Sequence, residues 1–441
     1  MERDAMQQLV AWRDNPARKP LIVQGARQVG KTWLINEFGR IRFRDVAYFH
    51  LLYDETASSI FNDRLDPTRI MDALSLLSGK RVGTPDTLIF LDEIQTTPRA
   101  LTALKFFQEE HPEVPVIAAG SLLGVSMHQG VSWPVGKVDY LNIHPLTFRE
   151  FLQASGEGPM VGALDADDWA LISPLQAKFM DYLRRYFFLG GMPEVVQTFL
   201  NTGDYTAARN LQLKLLRDYR EDFSTHAGSH LAERIRLIWD SIPAQLAREN
   251  KKFVYSAVRT GARARGYEEA IQWLTDAGLL LRVNRVKAGK LPLSGYTDRD
   301  AFKLFVFDTG LLGALSGLDG ETVLKENQLF TEFKGALLEN FVCQELTANG
   351  WEPRYWSAEA SSGEVDFVLQ LGGKVIPLEV KSSHKQKARS LGAFMKRYDL
   401  PLGVRVSPAE FGHGESTLNL PLYGLSRLGS AHETIETKPT I

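Results

Sequence analysis

A short stretch near the amino terminus has the composition and spacing of a phosphate-binding loop. Residues Gly25-Ala26-Arg27-Gln28-Val29-Gly30-Lys31-Thr32 match the pattern G-x-x-x-x-G-K-[ST] without a mismatch. Such a loop surrounds phosphate oxygens with backbone N–H groups, and glycines stand where a side chain would block the approach. We expect Lys31 to reach the β- and γ-phosphates of ATP and the Thr32 hydroxyl to bind Mg²⁺. The predicted nucleotide-binding segment extends to Trp33.

Two adjacent acids at the end of an apolar run complete the predicted nucleotide site. The run Leu88–Leu91 precedes Asp92 and Glu93, and a buried strand delivers such residues to the carboxyl edge of a sheet, where α/β folds bind ligands. We expect Asp92 to hold Mg²⁺, directly or through water, and Glu93 to act as the general base on the attacking water. Tandem acids favour hydrolysis over nucleotide storage.

Ser121 follows another apolar run and has two interpretations. Its hydroxyl could contact the γ-phosphate or the attacking water, which would make it part of the catalytic set. It could equally be an ordinary serine at a strand end that caps the next segment.

The elements that must position these residues follow from hydrophobic periodicity. We expect four short strands at Leu21–Val23, Val46–Leu51, Thr87–Leu91 and Val114–Ala119. All are apolar on both faces, as in a parallel sheet covered by helices. From about Asp165 to Ser224 the chain is helical in pattern and is interrupted at Gly190-Gly-Met-Pro193. The sequence therefore predicts an α/β class with a P-loop core followed by a helical segment.

The next segment has the order of a winged helix, in which short helices precede a pair of strands, here Leu279–Val283 and Leu304–Phe307. Its basic residues are candidates for contacts with the DNA backbone: Arg259, Arg263, Arg265, Arg282, Arg285, Lys287 and Lys290. Three acids on the predicted recognition helix, Glu268, Glu269 and Asp276, oppose this. DNA contact and subunit packing both remain open for this segment.

The carboxyl-terminal part contains acids and a lysine at spacings that suit metal chemistry. We expect a helix at Phe333–Ala348 and two strands, Val365–Leu371 and Val375–Lys381, which meet at the hairpin turn Gly372-Gly373. Because side chains alternate along a strand, Glu379 and Lys381 share a face. The hairpin brings Asp366 to the neighbouring strand end.

These residues suit the hydrolysis of a phosphodiester. Asp366 and Glu379 would hold Mg²⁺, Glu339 on the helix would add a third acid, and Lys381 would steady the nucleophile or the developing charge. The arrangement resembles the PD-(D/E)XK nuclease signature. An E-x-K pair on a strand is also a common salt bridge, so retained cleavage stays open. The polar run Ser382, Ser383, His384, Lys385, Lys387, Arg389 would contact phosphates or form a solvated face.

Composition limits the function classes. The chain has 441 residues, 44% apolar and 24% charged, with a formal net charge of −2, which is typical of a globular protein with several domains. Any contact with DNA therefore needs a local basic patch. The single Cys343 excludes an intramolecular disulfide and a thiolate-rich zinc site. A charged amino terminus and no apolar run of about 18 residues predict a cytoplasmic protein without a membrane partner.

Several motifs in combination resemble those of a large prokaryotic family, the predicted AAA+ superfamily ATPases with a carboxyl-terminal domain of unknown function. The motifs are Gln24–Thr32, Phe90–Gln95, Ala118–Leu122, Pro145–Phe151 and Gly190–Pro193. The resemblance implies an AAA+ core, a helical lid, a winged-helix-like segment and a restriction-endonuclease-like α/β domain. We assign these to residues 1–160, 161–228, 229–320 and 321–428, followed by a flexible tail at 429–441.

The resemblance also implies assembly into a homo-oligomer, such as a hexameric ring, because AAA+ sites usually form between subunits and use a cation from the neighbour. The family tends to have arginine at the position of Lys137. A lysine keeps the charge but loses the bidentate fork of a guanidinium, so its role as a trans-acting finger is in doubt. The leading hypothesis is an ATP-driven machine that remodels or translocates DNA. The alternatives are a nucleotide-dependent switch or scaffold and a protein remodeller, each with an inactive nuclease-like domain.

Overall fold

The structure, a computed structural model, describes residues 1–121, 123–126, 133–320, 331–358, 363–383 and 389–430. The chain divides into two units, one formed by residues 1–144 with 276–279 and the other by residues 145–275 with 280–441. His384, Lys385 and Lys387 of the predicted phosphate-contacting run, and the predicted tail from residue 431 onward, lie outside the described residues. Among the described helices, none has the length and apolar character that crossing a membrane requires.

The first unit contains a five-stranded sheet in the order β2-β3-β4-β1-β5. Its strands are β1 (Leu21–Gln24), β2 (Asp45–His50), β3 (Thr87–Asp92), β4 (Val116–Gly120) and β5 (Asp139–Asn142). All neighbours are parallel. The four predicted strands are therefore present, and the buried pattern of β3 and β4 on both faces explains their apolar sequences. Strand β5 escaped prediction because, at the sheet edge, only Leu141 of its residues is buried.

Helices cover this sheet, and local sequence signals fix where several of them begin. The helices are Ala5–Asp14, Lys31–Arg42, Glu55–Ser59, Pro67–Ser78, Pro98–Glu110 and Leu123–Ser126, with a 3₁₀ turn at Ile94–Thr96. Asp66 accepts hydrogen bonds from two backbone N–H groups of the following turn, and Pro67 occupies the first helical position, where its fixed φ suits a helix start. The inward faces of these helices bury Leu74, Leu104 and Phe107 against the strands.

The helices of the second unit precede its first strand or lie between its strands. They are Phe148–Ala154, Gly158–Asp165, Trp169–Ile172, Gln176–Leu189, Pro193–Thr202, Tyr205–His226, Ser229–Leu246, Ala264–Asp276, Thr309–Leu315, Thr331–Ala348 and Arg389–Tyr398. The 3₁₀ helices Ser173–Leu175, Tyr255–Ala257, Leu293–Tyr296 and Leu422–Arg427 complete the set. A capping box between Thr147 and Glu150 starts the first helix, since each side chain accepts a backbone N–H from the other end of the turn.

An eight-stranded sheet in the order β12-β13-β11-β10-β9-β8-β6-β7 lies in this unit. Its strands are β6 (Leu280–Val286), β7 (Thr297–Val306), β8 (Arg354–Ser357), β9 (Glu364–Leu371), β10 (Lys374–Val380), β11 (Gly403–Ser407), β12 (Gly412–His413) and β13 (Thr417–Pro421). The predicted hairpin joins β9 to β10, which pair antiparallel from Leu371 and Lys374. Gly372 and Gly373 have φ values of +53° and +76°, which suits a two-residue turn with both φ positive.

The strand pair predicted as the wing is present, but it does not form a sheet of its own. β6 and β7 pair antiparallel, and β6 also pairs in parallel with β8 through Arg285 and Tyr355. The two strands thus extend the sheet of the carboxyl-terminal segment across the predicted boundary at residue 320. The structure does not set residues 229–320 apart as an independent winged helix, and the restriction-endonuclease-like class and the five-segment division remain predictions.

A buried carboxylate explains the Gly190-Gly191 interruption. The Gly191 N–H donates to Asp308 Oδ2 at 2.6 Å, and the Leu311 N–H donates to Oδ1 at 2.8 Å. A Cβ built on Gly190, whose φ is +71°, would lie 2.2 Å from Asp308 Oδ1. Burial raises the pKa of Asp308 to about 6 in spite of these backbone donors. The glycine motif therefore serves the close approach of backbone to a buried acid.

Candidate functional site

The predicted phosphate loop lies between the end of β1 and the helix that begins at Lys31. A Cβ on Gly25, whose φ is +147°, would lie 2.2 Å from the Ile143 carbonyl oxygen. Gln28 and Gly30 also have positive φ, at 65° and 92°. Val29 is buried, and its carbonyl accepts a hydrogen bond from Arg3 Nη1 at 2.9 Å. Glycine is thus required at both ends of the loop, as the sequence pattern predicts.

Lys31 is almost completely buried against this loop. Its Nζ donates to the carbonyl oxygens of Gly25 at 2.9 Å and Ala26 at 2.8 Å. Burial lowers the pKa of Lys31 to about 8, although the nearby Glu93 and Asp92 carboxylates act in the opposite direction. Among the residues that the structure describes, this ammonium has no anionic partner at hydrogen-bond distance, and an incoming phosphate would supply one.

The structure brings Thr32 and Asp92 together. The Thr32 hydroxyl donates to Asp92 Oδ2 at 2.8 Å. The Tyr48 hydroxyl donates to the same oxygen at 3.2 Å, and the Glu93 N–H donates to Oδ1 at 3.0 Å. Burial, together with the Asp92 charge, raises the pKa of Tyr48 to about 12. Both predicted metal ligands are therefore adjacent, and the donors to Asp92 named here are all neutral groups.

Glu93 has the left-handed backbone conformation, with φ at +52°, and directly follows the last residue of β3. Gln95 Nε2 donates to Glu93 Oε2, and the Ser121 hydroxyl donates to the same oxygen at 3.5 Å. Arg27 Nε donates to the Ser121 hydroxyl at 3.4 Å. Ser121 thus links the phosphate loop to the proposed base. Its catalytic role stays a prediction.

Two residues at this site were missed by sequence reasoning. Tyr48 lies on β2 and belongs to no sequence motif. Its hydroxyl meets Asp92 only because β2 pairs in parallel with β3. Gln95 lies in a 3₁₀ turn after the tandem acids. Its position two residues after Glu93 was the available signal.

Two other predicted site residues lie apart from this cluster of contacts. Trp33 is 49% exposed in the first turn of the helix that follows the loop. Lys137 is partly exposed, and its Nζ lies 3.0 Å from Glu109 Oε1. It precedes β5, whose first residue Asp139 pairs with Leu21 at the start of β1. Because the phosphate loop follows the opposite end of β1, Lys137 lies towards the other edge of the sheet from the loop of its own chain.

The carboxyl-terminal acids lie around a lysine that the sequence analysis did not select. Lys303 of β7 is fully buried. Its Nζ pairs with Glu364 Oε1 and lies 3.6 Å from Glu339 Oε2. A second ammonium, that of Lys251, donates a hydrogen bond to Glu339 Oε1 at 2.6 Å. A lysine inside the apolar run Ala301–Phe307 was a signal available in the sequence.

The remaining predicted nuclease residues are also engaged. Asp366 Oδ2 accepts the Val380 N–H at 2.8 Å, and burial followed by the Glu339 charge raises the pKa of Asp366 to about 7. Glu379 pairs with Lys381 and accepts the Leu391 N–H at 3.3 Å. Within the described residues, no group of three or more His, Cys, Asp or Glu side chains is placed to hold a metal ion. The metal role of Asp366 and Glu379 stays a prediction.

The candidate DNA-contacting residues fall into two groups. Arg282 pairs with Glu268 at 3.2 Å and stacks over the Phe302 ring, and Arg285 pairs with Asp298 at 2.6 Å. Because both guanidinium groups are paired with acids of the same chain, these two arginines are less available for contact with DNA. The other candidates are exposed: Arg259, Arg263, Arg265, Lys287 and Lys290.

Family models match three parts of this chain. An AAA domain model matches residues 17–152. Models of two domains of unknown function, DUF8612 and DUF4143, match residues 180–322 and 334–421. The DUF8612 match contains both strands of the predicted wing together with much of the predicted lid.

Two mycobacterial proteins and several solved structures are similar to the chain. The uncharacterized proteins Rv2008c of Mycobacterium tuberculosis and Mb2031c of Mycobacterium bovis are each 24% identical, over 95% of this chain and 83% of theirs. The Walker-type ATPase of Pyrococcus abyssi is 13% identical over 71% of this chain and 95% of its own, with a TM-score of 0.45. The Aeropyrum pernix Orc1 protein, solved in complex with DNA, is 17% identical over 72% and 92%, with a TM-score of 0.28. Residues 17–152, which contain the phosphate loop and the tandem acids, are therefore the part of the chain that is similar to AAA domains.

Proposed function

We propose that this chain is an AAA+ ATPase that hydrolyses ATP with Mg²⁺ and couples the hydrolysis to binding and remodelling or translocation of DNA. The observation that carries the ATPase part is the 2.8 Å hydrogen bond between Thr32 and Asp92. It joins a phosphate loop to the first of two tandem acids. Beside them, the buried Lys31 has no anionic partner at hydrogen-bond distance within the described part of the chain.

Mg²⁺ fits the donor set at this position. The Thr32 hydroxyl and the Asp92 carboxylate supply hard oxygen ligands. The hydrogen bonds that Asp92 accepts from Thr32, Tyr48 and the Glu93 N–H come from neutral groups, so its negative charge is available to a cation. When bound, Mg²⁺ would neutralise charge on the β- and γ-phosphate oxygens.

The other side chains have complementary tasks in this proposal. Lys31 would replace its bonds to loop carbonyls by contacts with the β- and γ-phosphates. Glu93 would accept a proton from the attacking water. Gln95 and Ser121 would hold the Glu93 carboxylate in position, since both contact its Oε2 atom.

Exposed arginines before a helix support the DNA part of the proposal. Arg259, Arg263 and Arg265 are exposed at the start of the helix Ala264–Asp276. The positive end of a helix and arginine side chains both favour phosphate oxygens. This arrangement supports backbone contact without base readout.

Lys137 supports assembly of several copies. It stands at the amino ends of the parallel strands, away from the phosphate loop of its own chain. A cation there would complete the nucleotide site of a neighbouring subunit in a ring, although a lysine lacks the bidentate fork of arginine.

Steady-state phosphate release with Mg²⁺ and ATP, with and without DNA, tests the proposal. DNA should raise the turnover, and the variant Arg259→Ala/Arg263→Ala/Arg265→Ala should lose this stimulation but keep the basal rate. The matched control is Lys214→Ala/Arg217→Ala, which removes exposed basic residues elsewhere in the same unit. Turnover that ignores DNA would refute the DNA part, and a Lys31→Ala protein that hydrolyses ATP at the full rate would refute the ATPase part.

One observation favours a second candidate, a nucleotide-dependent switch or scaffold whose nuclease-like domain does not cut. The carboxyl-terminal acids already hold the Lys303 ammonium. ATP-dependent assembly together with DNA-indifferent turnover would favour this alternative.

A further inference from the structure

We propose that the Lys303 ammonium is the resident cation of the carboxyl-terminal acid cluster, defined as Glu339, Glu364 and Asp366, and that this cluster therefore binds no catalytic divalent metal. The inference goes beyond the proposed function and does not depend on it. The side chains of the cluster are distant in sequence from the phosphate loop. The inference therefore holds whether or not the chain hydrolyses ATP.

The position of the Lys303 Nζ atom is the first argument. This atom pairs with Glu364 Oε1, lies 3.6 Å from Glu339 Oε2, and lies 5.0 Å from the centre of the Tyr355 ring. The Lys303 side chain is fully buried. An ammonium held by two carboxylates over an aromatic face occupies the place where acids of a nuclease would face a metal ion.

The charge balance is the second argument. Lys251 Nζ lies 2.6 Å from Glu339 Oε1, so a second ammonium joins the cluster. Glu339 and Glu364 thus face the two ammonium groups of Lys251 and Lys303, which leaves little net negative charge. A divalent cation would have to displace Lys303 or sit beside two like charges in a buried site, where screening is weak.

The residues of the nuclease-like motif are the third argument. Lys381 pairs with Glu379, and Glu379 also accepts the Leu391 N–H at 3.3 Å. Asp366 accepts the Val380 N–H at 2.8 Å. A metal-dependent nuclease needs its lysine beside the nucleophile and its carboxylate oxygens facing the metal. Here the same groups are bound to each other and to the backbone.

The origin of these side chains indicates what the cluster does instead. Lys303 lies on β7, Glu339 on the helix Thr331–Ala348, and Glu364 and Asp366 on β9. The ion pairs therefore connect an edge strand to a helix and to an inner strand of the same sheet. We infer a structural junction within this unit, which leaves any contact with nucleic acid to surface residues.

Binding of Mn²⁺, followed by electron paramagnetic resonance, tests the proposal on the full chain. The background variant Asp92→Asn weakens the proposed metal site of the nucleotide pocket. In that background we expect no Mn²⁺ site tighter than about 1 mM, the weak end of specific divalent sites. One bound Mn²⁺ that the further change Asp366→Asn removes would overturn the proposal.

The variant Lys303→Met examines the same claim from the other side. With the ammonium removed and the acids kept, the cluster should gain one Mn²⁺ site, and Asp366→Asn should abolish it. Circular dichroism establishes that the variant is folded. A folded Lys303→Met protein that gains no site would contradict the placement of Lys303 as the resident cation. If this variant does not fold, the Asp92→Asn measurement decides alone.

Cleavage of supercoiled and linear duplex DNA with Mg²⁺ or Mn²⁺ provides the functional readout. The unaltered chain and the Asp366→Asn variant should show the same background rate. Cleavage that disappears in both Asp366→Asn and Glu379→Gln would refute the inference. Phosphate release from ATP, measured in the same samples, distinguishes this failure from a failure of the proposed ATPase.

Discussion

Lys31 and Lys303 are two buried lysines with opposite environments. Lys31 donates to backbone carbonyls, and burial lowers its pKa to about 8. Lys303 is also buried, but the charges of Glu339, Glu364 and Asp366 outweigh burial and raise its pKa. The first ammonium has no counter-charge at hydrogen-bond distance among the described side chains and is suited to an incoming anion. The second is already neutralised by the protein itself.

The carboxylates near the two lysines differ in the same sense. Asp92 accepts hydrogen bonds from hydroxyl and N–H groups that carry no charge. Glu339 is surrounded by two ammonium groups, which lower its pKa although burial acts the other way. A collection of acids and a lysine is therefore insufficient evidence of a catalytic site. A cluster can bind a charged ligand only where its charges are not already compensated by other side chains of the protein.

Removing the Lys303 ammonium should have the largest effect. In Lys303→Met, buried acids lose a cation, and breaking a buried ion pair in this way costs about 3–5 kcal/mol. Calorimetry of the thermal unfolding transition measures the loss. The exposed Lys214→Met should change stability by no more than about 0.5 kcal/mol, and Lys303→Met/Glu364→Gln should recover part of the loss. A Lys303→Met protein as stable as the Lys214→Met control would contradict the contrast drawn between the two buried lysines.

Changing Glu93 to glutamine tests the proposed nucleotide site, which contains the first of the two lysines. Because Gln cannot accept the water proton, Glu93→Gln should lower kcat about 100-fold, at the lower end of general-base effects. Nucleotide affinity should stay close to that of the unaltered chain, since Lys31 and Asp92 are retained. Phosphate release and titration with a fluorescent nucleotide separate the two quantities. Glu110→Gln, on an exposed acid, is the matched control, and equal kcat in both variants would exclude Glu93 as the base.

The pH dependence should separate the two lysines directly. In the proposed nucleotide site the charged form of Lys31 would bind the phosphates, and the free protein loses this charge as the pH rises through about 8. Nucleotide affinity should therefore be highest below this pH and fall about tenfold per pH unit above it. The pKa of Lys303 is raised, so its ion pairs contribute their full stability at every pH below the ordinary lysine pKa. This contribution therefore persists over the pH range in which Lys31 loses its charge. Affinity and thermal transition measured on the same series give both results, and a flat affinity curve would contradict the Lys31 environment.

The smallest effect is expected from Tyr48→Phe. The change removes one hydroxyl from Asp92 but leaves the Thr32 and Glu93 N–H donors, and the ring still packs on Phe90 at 5.1 Å between centroids. One such hydrogen bond is worth about 1 kcal/mol, so ATP turnover should fall about fivefold or less. Tyr53→Phe, at an 80% exposed position, should leave turnover unchanged. A loss comparable with that of Glu93→Gln would give Tyr48 a direct chemical role.

Much of the first unit could be predicted because its signals are local. The four apolar runs give parallel strands, and the glycines at the ends of the phosphate loop are required by positive φ and by the 2.2 Å approach to Ile143. Strand β5 could not be predicted, since its mostly exposed, partly polar sequence resembles a loop. In the second unit the hairpin of β9 and β10 was predictable, whereas the sheet that unites it with β6 and β7 depends on pairing between distant segments.

The sequence by itself determined which groups could do chemistry: the phosphate loop, the tandem acids and the carboxyl-terminal carboxylates. The phosphate loop is contiguous, so backbone sterics and spacing sufficed to identify it. The tertiary structure decided which charges remain available. Lys303 and Glu364 are 61 residues apart, and Lys251 and Glu339 are 88 residues apart. The electrostatic state of a carboxylate depends on neighbours in space, and no local pattern specifies them.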